Sequence, residues 1–362
     1  MDPFCGSGTV LVESMVRGRP AWGVDANPFA RLLSQVKTTP LERSSLQKSA
    51  ERAIAHAKRS RTISPPDVVN LGTWFTKPSI SVLSRFRAGV DQEDDENLRN
   101  ALRIAMSLAA DRLSLRDRRI PVPVRRPDAD DVASSDTPAR SWHYLEESIS
   151  FVAERIHQLN GIAGKADVHV LGTDARDLQA LSPNGAVSSP TLVITSPPYG
   201  AAQKYVRSSS LSIGWLGLAA RTELSALERE SIGREHMSSS DLRSVPTVAS
   251  RRVQREIDRI ASSSTVRAAI YANYFSDMDL ALQAIYNTLE PGGHLALVAA
   301  RNYVAGSVLQ TPDLLKVLAL KNGFDLVLEV FDRIQGRLLM TKRASTSGPP
   351  IDSEHVLLLR RG

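Results

Sequence analysis

The residues best equipped for chemistry lie in short stretches: DPFCGSGT at 2–9, the aspartate closing AWGVD at 21–25, and SPPYG at 196–200. Before the last, Leu192, Val193 and Ile194 predict a short buried strand, and Pro197 and Pro198 then forbid both helix and further ladder pairing. The chain is held there in a stiff extended turn from which Ser196 and Tyr199 project. At the carboxyl end of a strand in an open α/β sheet, such a turn borders a ligand crevice. In the first stretch, Gly6, Gly8 and small polar residues precede VLVESMVRG, whose apolar spacing is helical and stops at Gly18. A glycine-rich loop opening a helix lets backbone approach a ligand closely and aims N–H groups at it. Asp25 then ends a predicted strand, where a carboxylate accepts from both hydroxyls of a ribose. Asp174 closes another strand-like run, ADVHVLGTDARD, and suits the exocyclic amine of adenine. Loop, helix, strand and acid make a nucleoside-cofactor arrangement.

The elements that must position these residues read as α/β. A loop of this kind follows a central strand, yet only Met1 precedes Asp2; the expectation is a start further upstream, or another segment supplying the strand. Residues 38–164 change character: ERSSLQKSAERAIAHAKRSR and LRNALRIAMSLAADRLSLRDRR have helical spacing and are separated by the acidic run DQEDDE, so a helical insertion is expected. Pro121, Pro123 and Pro127 followed by DADDVASSD predict a loop. Arg112, Arg116, Arg118, Arg119, Arg125 and Arg126 either line a phosphate backbone or form a solvated helix face, with Asp111 and Asp117 partly neutralising them. Pro183, Asn184 and Gly185 predict a turn. Residues 201–268, rich in Ser and Arg and longer than a normal connection, read as a second, basic insertion near the active face. Beyond it come a helix closed by Pro-Gly-Gly, the strand HLALVAA, a helix and strand divided by Gly323, and a last strand, HVLLLRR.

Composition narrows the partners. The 362 residues allow one large domain with insertions or two domains, and 42% hydrophobic content is ordinary for a globular chain. A net charge of +6, carried mainly by arginine, fits a polyanion, since guanidinium groups bind phosphate bidentately. One cysteine, Cys5, excludes an internal disulfide framework and a cysteine-cluster zinc site. No His-Glu or His-Cys spacing suggests a metal, no apolar run reaches membrane-spanning length, and no secretory signal opens the chain, so a reducing cytoplasmic compartment is expected.

DPFCGSGT, GVDANPFARLLSQVKTTPL, GTDARDL and TSPPYG, in that order, resemble the S-adenosylmethionine-dependent DNA amino-methyltransferases of the N4-cytosine/N6-adenine class. The likeness covers residues 1–40 and about 165–362. It implies a Rossmann-like methyltransferase fold with a seven-stranded, mostly parallel sheet, here lacking its first strand, and a final antiparallel strand. The catalytic core would comprise 1–37 and 165–362, with 38–164 the helical insertion and 201–268 a basic insertion contacting DNA. Asp2, Phe4, Gly6 and Gly8 would form the cofactor loop, Asp25 would hold the ribose and Asp174 the adenine. Ser196, Pro197, Pro198 and Tyr199 would hold the target base. The implied cofactor is S-adenosyl-L-methionine; the implied partners are double-stranded DNA and a restriction enzyme paired with it, with no metal or membrane. Ser at the head of the tetrapeptide resembles the cytosine-N4 type, whereas adenine enzymes more often carry Asp or Asn there.

The resemblance also implies a chemistry. An exocyclic amine is a poor nucleophile because its lone pair is delocalised into the ring, and acceptors at Ser196 Oγ and the Pro197 carbonyl would favour a pyramidal nitrogen. Tyr199 would stack on a base flipped from the duplex. Cytosine C5 methylation needs a thiolate in a Pro-Cys turn, and no Pro-Cys occurs. Two alternatives stay open: an RNA guanine-N2 methyltransferase, whose loop DPFCGSGTVLVES also resembles, and an inactive truncated fragment that binds nucleic acid through its arginines.

Overall fold

A computed structural model describes residues 1–61, 63–162, 164, 166–178, 188–200, 204–235, 237–334 and 353–362. The predicted turn at Pro183–Gly185 lies outside them. Helix α1 (Thr9–Val16), strand β1 (Ala21–Val24) and helix α2 (Pro28–Thr38) open the chain. A helical run follows: α3 (Arg43–Arg59), α4 (Leu71–Trp74), α5 (Lys77–Val90), α6 (Glu96–Leu113), α7 (Ala129–Ser134) and α8 (Pro138–Ile162). After β2 (Val168–Gly172) and β3 (Leu192–Thr195) come α9 (Tyr205–Leu216), α10 (Leu224–Glu230), α11 (Ser239–Arg243), α12 (Arg251–Ala261) and α13 (Thr265–Thr288). The last part is β4 (His294–Ala300), a hairpin of β5 (Asn302–Val304) and β6 (Ser307–Leu309), α14 (Thr311–Lys321), β7 (Phe324–Arg333) and β8 (Ser353–Arg361).

Among the described residues the strands pair in separate sheets, and not as one seven-stranded, mostly parallel sheet. β1 and β2 pair in parallel, and a separate four-stranded sheet has the order β3-β4-β8-β7, parallel at β3-β4 and antiparallel at both β8 pairings. The reason lies between the two sheets. The Met1 amino group donates to the Leu192 carbonyl at 2.9 Å, and Ile194 N–H donates to the Met1 carbonyl at 3.1 Å. On the other side Asp2 N–H donates to Trp22 O and Val24 N–H to Asp2 O, each at 3.0 Å. Two residues thus stand in the gap, too few for the ladder a full strand would make.

β3 also departs from expectation. Val193 is buried with α13 residues such as Phe275 and Met278, but Leu192 and Ile194 are 42% and 39% exposed, so the strand alternates. A continuous β-branched and aliphatic run cannot by itself tell a strand covered on two faces from one covered on one.

α12, α13 and α14 pack over the larger sheet and share one core with it, including Phe275, Met278, Leu295, Leu297, Leu357 and Leu359. A second core joins α3, α5, α6 and α8 around Phe86, Leu83, Leu102, Met106 and Leu145, and takes in Leu32 and Val36 of α2 and Trp215 and Leu216 of α9. Phe75 meets Trp215 edge to face, with centroids 5.2 Å apart and planes at 83°. The acidic run between α5 and α6 acts as a helix start: Asp95 Oδ1 accepts from Asn97 N–H at 2.9 Å and Leu98 N–H at 3.0 Å. Where a loop is expected after Pro127, ADDVAS forms α7, with Asp130 and Asp131 in its first turn against the helix dipole.

The arginines of 112–126 are each paired with a carboxylate. Arg112 meets Glu147, Arg116 and Arg118 share Asp111, Arg119 meets Asp117, Arg125 meets Asp130 and Arg126 meets Asp128, at 2.5–2.9 Å. Among the described residues no helix is long and apolar enough to cross a membrane.

Candidate active site

The glycine-rich loop is held from behind by α2. Gly8 has φ +81°, and a Cβ there would lie 2.8 Å from Ser34 Oγ, so only glycine fits the approach. Ser34 Oγ donates to the Gly6 carbonyl at 2.8 Å and Lys37 Nζ to the Ser7 carbonyl at 2.8 Å. Cys5 N–H pairs with Val24 O at 2.9 Å, fixing the loop to the end of β1. The Cys5 thiol is buried, and burial with the nearby Asp25 and Asp2 charges pushes its pKa up to about 12. Native protein at pH 8 is therefore expected to resist thiol-modifying reagents and to react fully once unfolded; rapid native labelling would contradict this burial.

Asp25 organises the loop beside it. Its Oδ2 accepts from Gly6 N–H at 2.9 Å and its Oδ1 from Asn27 N–H at 2.8 Å, while Arg31 Nη1 donates to the Asp25 carbonyl at 2.7 Å. Burial raises the Asp25 pKa, against the hydrogen bonds and the Arg31 charge that favour the ion. Asn27 caps α2 by accepting from Phe29 N–H at 3.0 Å, and its amide donates to Ser209 Oγ at 2.8 Å, tying α9 to the loop.

Asp2 serves a different purpose. It is buried, accepts from Thr195 Oγ1 at 2.6 Å and from Phe4 N–H at 3.0 Å, and so locks the loop onto the end of β3. Burial outweighs those bonds and pushes its pKa up to about 6. Because the folded value exceeds the unfolded one, its stabilising contribution is complete below about pH 4 and is lost as the pH rises through about 6. Two pKa units correspond to at most about 3 kcal/mol. Asp2→Asn should therefore flatten the decline in melting temperature between about pH 4 and 7 in calorimetric scans, and an unchanged profile would refute the assignment.

Asp174 follows β2 and is gripped by Arg176, whose Nε and Nη2 donate to its Oδ1 and Oδ2 at 2.9 and 2.8 Å. Burial works to raise the Asp174 pKa, but the Arg176 hydrogen bonds and charge prevail and hold it below the usual carboxylate value. Arg176 reaches on to Asp277 of α13 at 2.9 Å and to the Glu230 carbonyl at 3.0 Å, so one guanidinium links β2, α13 and the end of α10.

The SPPYG turn is anchored at its far end. Tyr271 Oη donates to the Gly200 carbonyl at 2.7 Å and Asn302 Nδ2 approaches it at 3.3 Å. A Cβ on Gly200 would come within 2.9 Å of the Tyr271 ring. Tyr199 Oη donates to Glu354 Oε1 at 3.1 Å, and Tyr205 Oη accepts from Tyr199 N–H at 3.4 Å. Burial raises the Tyr199 pKa, with the Glu354 charge adding to it, so the phenol stays neutral and donating.

These parts enclose one cavity of about 340 Å³. Phe4, Gly6, Asp25, Asp174 and all four residues of Ser196–Tyr199 line it. Asp2 and Gly8 do not: Asp2 lies beneath the loop, and Gly8 faces Ser34. Asn27, Tyr205 and Glu230–Ile232 line the cavity without having been singled out in the sequence. Asn27 was discoverable as a helix cap two residues after Asp25. Tyr205, the 230–232 segment and Glu354 carry no local signal and arrive only through tertiary folding. Among the described residues no group of three His, Cys, Asp or Glu is arranged to hold a metal ion.

No family model matches the chain. It is similar over nearly its whole length to a Type II methyltransferase, M.MvaI of Kocuria varians, at 20% identity over 380 residues, 99% of this chain and 83% of the relative. Among solved structures, TTHA0409 of Thermus thermophilus, a candidate DNA modification methylase, is 17% identical with a TM-score of 0.26, and the match covers 52% of this chain and 51% of that one. Its selenomethionine derivative gives a TM-score of 0.24 at the same identity, so the chain spans about half the length of these structures.

Proposed function

We propose that this chain is an S-adenosylmethionine-dependent DNA methyltransferase acting on an exocyclic amino group of a flipped base, cytosine N4 in preference to adenine N6. The observation that carries the reading is the cavity in which the acids Asp25 and Asp174 meet Ser196–Tyr199. The near full-length similarity to a Type II methyltransferase supports it. The hydrogen-bonded sequence β2, β1, Met1–Asp2, β3, β4, β8, β7 is consistent with a seven-position sheet whose central place is held by two residues.

The donor set suits the methyl donor. The cavity volume falls in the range of small-ligand sites. Asp25 retains lone pairs for a ribose diol after accepting from Gly6 and Asn27, Asp174 offers an acceptor at the end of the neighbouring strand, and Phe4, Ala175 and Ile232 supply apolar walls for an adenine ring. S-adenosylmethionine supplies an electrophilic methyl group on a sulfonium, so the reagent arrives already activated.

The chain's own residues act on the base. Ser196 Oγ and the Pro197 carbonyl, on a backbone stiffened by two prolines, accept the two amine hydrogens and so withdraw the nitrogen lone pair from ring conjugation. Tyr199 offers its ring for stacking and is kept from swinging by Glu354. Binding and orientation, not proton abstraction by a strong base, account for the rate on this reading. Ser196 at the head of the tetrapeptide favours cytosine N4. Incubation of the protein with S-adenosylmethionine and plasmid DNA, digestion to nucleosides and mass spectrometry tests this directly. N4-methylcytosine is expected; N6-methyladenine would move the target, and no methylated nucleoside would reject the activity.

A further inference from the structure

Resting on the DNA reading above, we infer that the duplex docks on the outer face of α12 together with the β5–β6 hairpin, and not on the arginine-rich 112–126 segment. Affinity for a polyanion comes from cations that are available to displace counterions. The arginines of 112–126 are already matched to Asp111, Asp117, Asp128 and Asp130, close by in the chain, and to Glu147 of α8. α12 is the opposite case. Val253, Ile257 and Ile260 face the core, and Arg251, Arg252 and Arg255 are exposed with no carboxylate partner among the described residues. Arg267, in the first turn of α13, is exposed as well, and its charge is felt at the Tyr271 hydroxyl that holds Gly200.

The hairpin adds an apolar element to this basic face. Tyr303 and Val308 are cross-strand partners and are 43% and 45% exposed. The turn joining their strands has positive φ at both Ala305 (50°) and Gly306 (80°), the backbone of a tight two-residue hairpin, and Tyr303 Oη donates back to Gly306 O at 3.0 Å. Its root is rigid: Asn302 and Leu309 are buried, Thr311 Oγ1 donates to Asn302 Oδ1 at 2.8 Å, and Asn302 reaches the Gly200 carbonyl. The Arg259 guanidinium donates to the Ser307 hydroxyl, joining α12 to the hairpin. An exposed aromatic and β-branched pair, tied to the residue after Tyr199 and bordered by arginines with no carboxylate partner among the described residues, fits a duplex whose stack is opened beside the target base. The arginines take the phosphates, and Tyr303 with Val308 takes the apolar faces of bases.

Fluorescence anisotropy with a labelled 30-base-pair mixed-sequence DNA duplex, across a salt series, tests the assignment. For Arg251→Gln/Arg252→Gln/Arg255→Gln, affinity should fall at least tenfold, and the slope of log affinity against log salt should become shallower by roughly 2–3. Arg118→Gln/Arg119→Gln/Arg125→Gln should stay within about twofold of wild type. Tyr303→Ala should weaken binding several-fold at an unchanged salt slope, the mark of an uncharged contact. Melting curves within a few degrees of wild type confirm that the exposed substitutions leave the fold intact. If wild type binds DNA and the two triple variants exchange their behaviour, the docking surface is wrong while the DNA reading stands. If wild type fails to bind DNA, or prefers an RNA duplex of the same sequence, both readings fall.

Discussion

Asp25→Ala is expected to lower S-adenosylmethionine affinity at least 100-fold in calorimetry and to leave salt-dependent DNA binding within about threefold of wild type. The carboxylate has two tasks that alanine cannot share. It accepts from Gly6 and Asn27 N–H, at 2.9 and 2.8 Å, and thereby holds the glycine-rich loop and the start of α2 in one frame. A buried donor left without a partner costs about 1–3 kcal/mol, and a hydrogen bond to a charged group is worth about 1.5–3 kcal/mol. Losing both the frame and a ribose acceptor thus amounts to roughly 3–5 kcal/mol, or about two to four orders of magnitude in affinity. The melting temperature should drop by several degrees, since part of that cost falls on the folded state without ligand. Asp25→Asn separates the two tasks: its single carbonyl oxygen can keep one N–H partner, so stability should recover more than affinity does. Unchanged cofactor affinity in the alanine variant would exclude Asp25 from the binding site.

The residues most legible in the sequence are those whose chemistry is written in a contiguous stretch. Asp25 and Asp174 close strand-like runs, Pro197 and Pro198 dictate the backbone that carries Ser196 and Tyr199, and all of them line one cavity. What could not be read locally was set by partners distant in the chain. Glu354 comes 155 positions after the tyrosine it holds, and Arg176 bridges to Asp277 across 101 positions. Charge density alone leaves the availability of a cation open, even where its partner is near in the chain. The 112–126 segment and α12 both look basic; Asp111 and Asp117 were visible as neutralising charges at the first, and the folded chain adds Asp128, Asp130 and Glu147 to them. The loop motif places Asp2 beside the cofactor but does not tell that its carboxylate is buried and bonded to Thr195, 193 positions away. The link between the two sheets, hydrogen bonds of Met1 to β3 and of Asp2 to β1, joins segments about 170 positions apart and is likewise set by tertiary folding.

Tyr199 carries the second large effect. Tyr199→Ala should reduce single-turnover methyl transfer to DNA by roughly 100-fold, with S-adenosylmethionine affinity changed by no more than about threefold. The ring lines the cavity next to Ser196, and base–aromatic stacking is worth about 1–3 kcal/mol, or fivefold to about 150-fold. Removing the ring also takes away the wall that limits where the amine can rest against Ser196 and Pro197, so misplacement adds to the lost stacking. Tyr199→Phe distinguishes ring from hydroxyl. It keeps the stacking face and deletes only the 3.1 Å bond to Glu354, so a loss of up to about tenfold in rate is expected, with affinity for cofactor unchanged. Glu354→Gln, whose amide oxygen still accepts from the phenol, should lie closer to wild type than Tyr199→Phe. If Tyr199→Ala loses cofactor affinity and turnover to the same degree, the side chain supports the cofactor half of the cavity and not the base. If Tyr199→Phe is as damaged as Tyr199→Ala, the work belongs to the hydroxyl and its link to β8, and stacking is not the source of the rate.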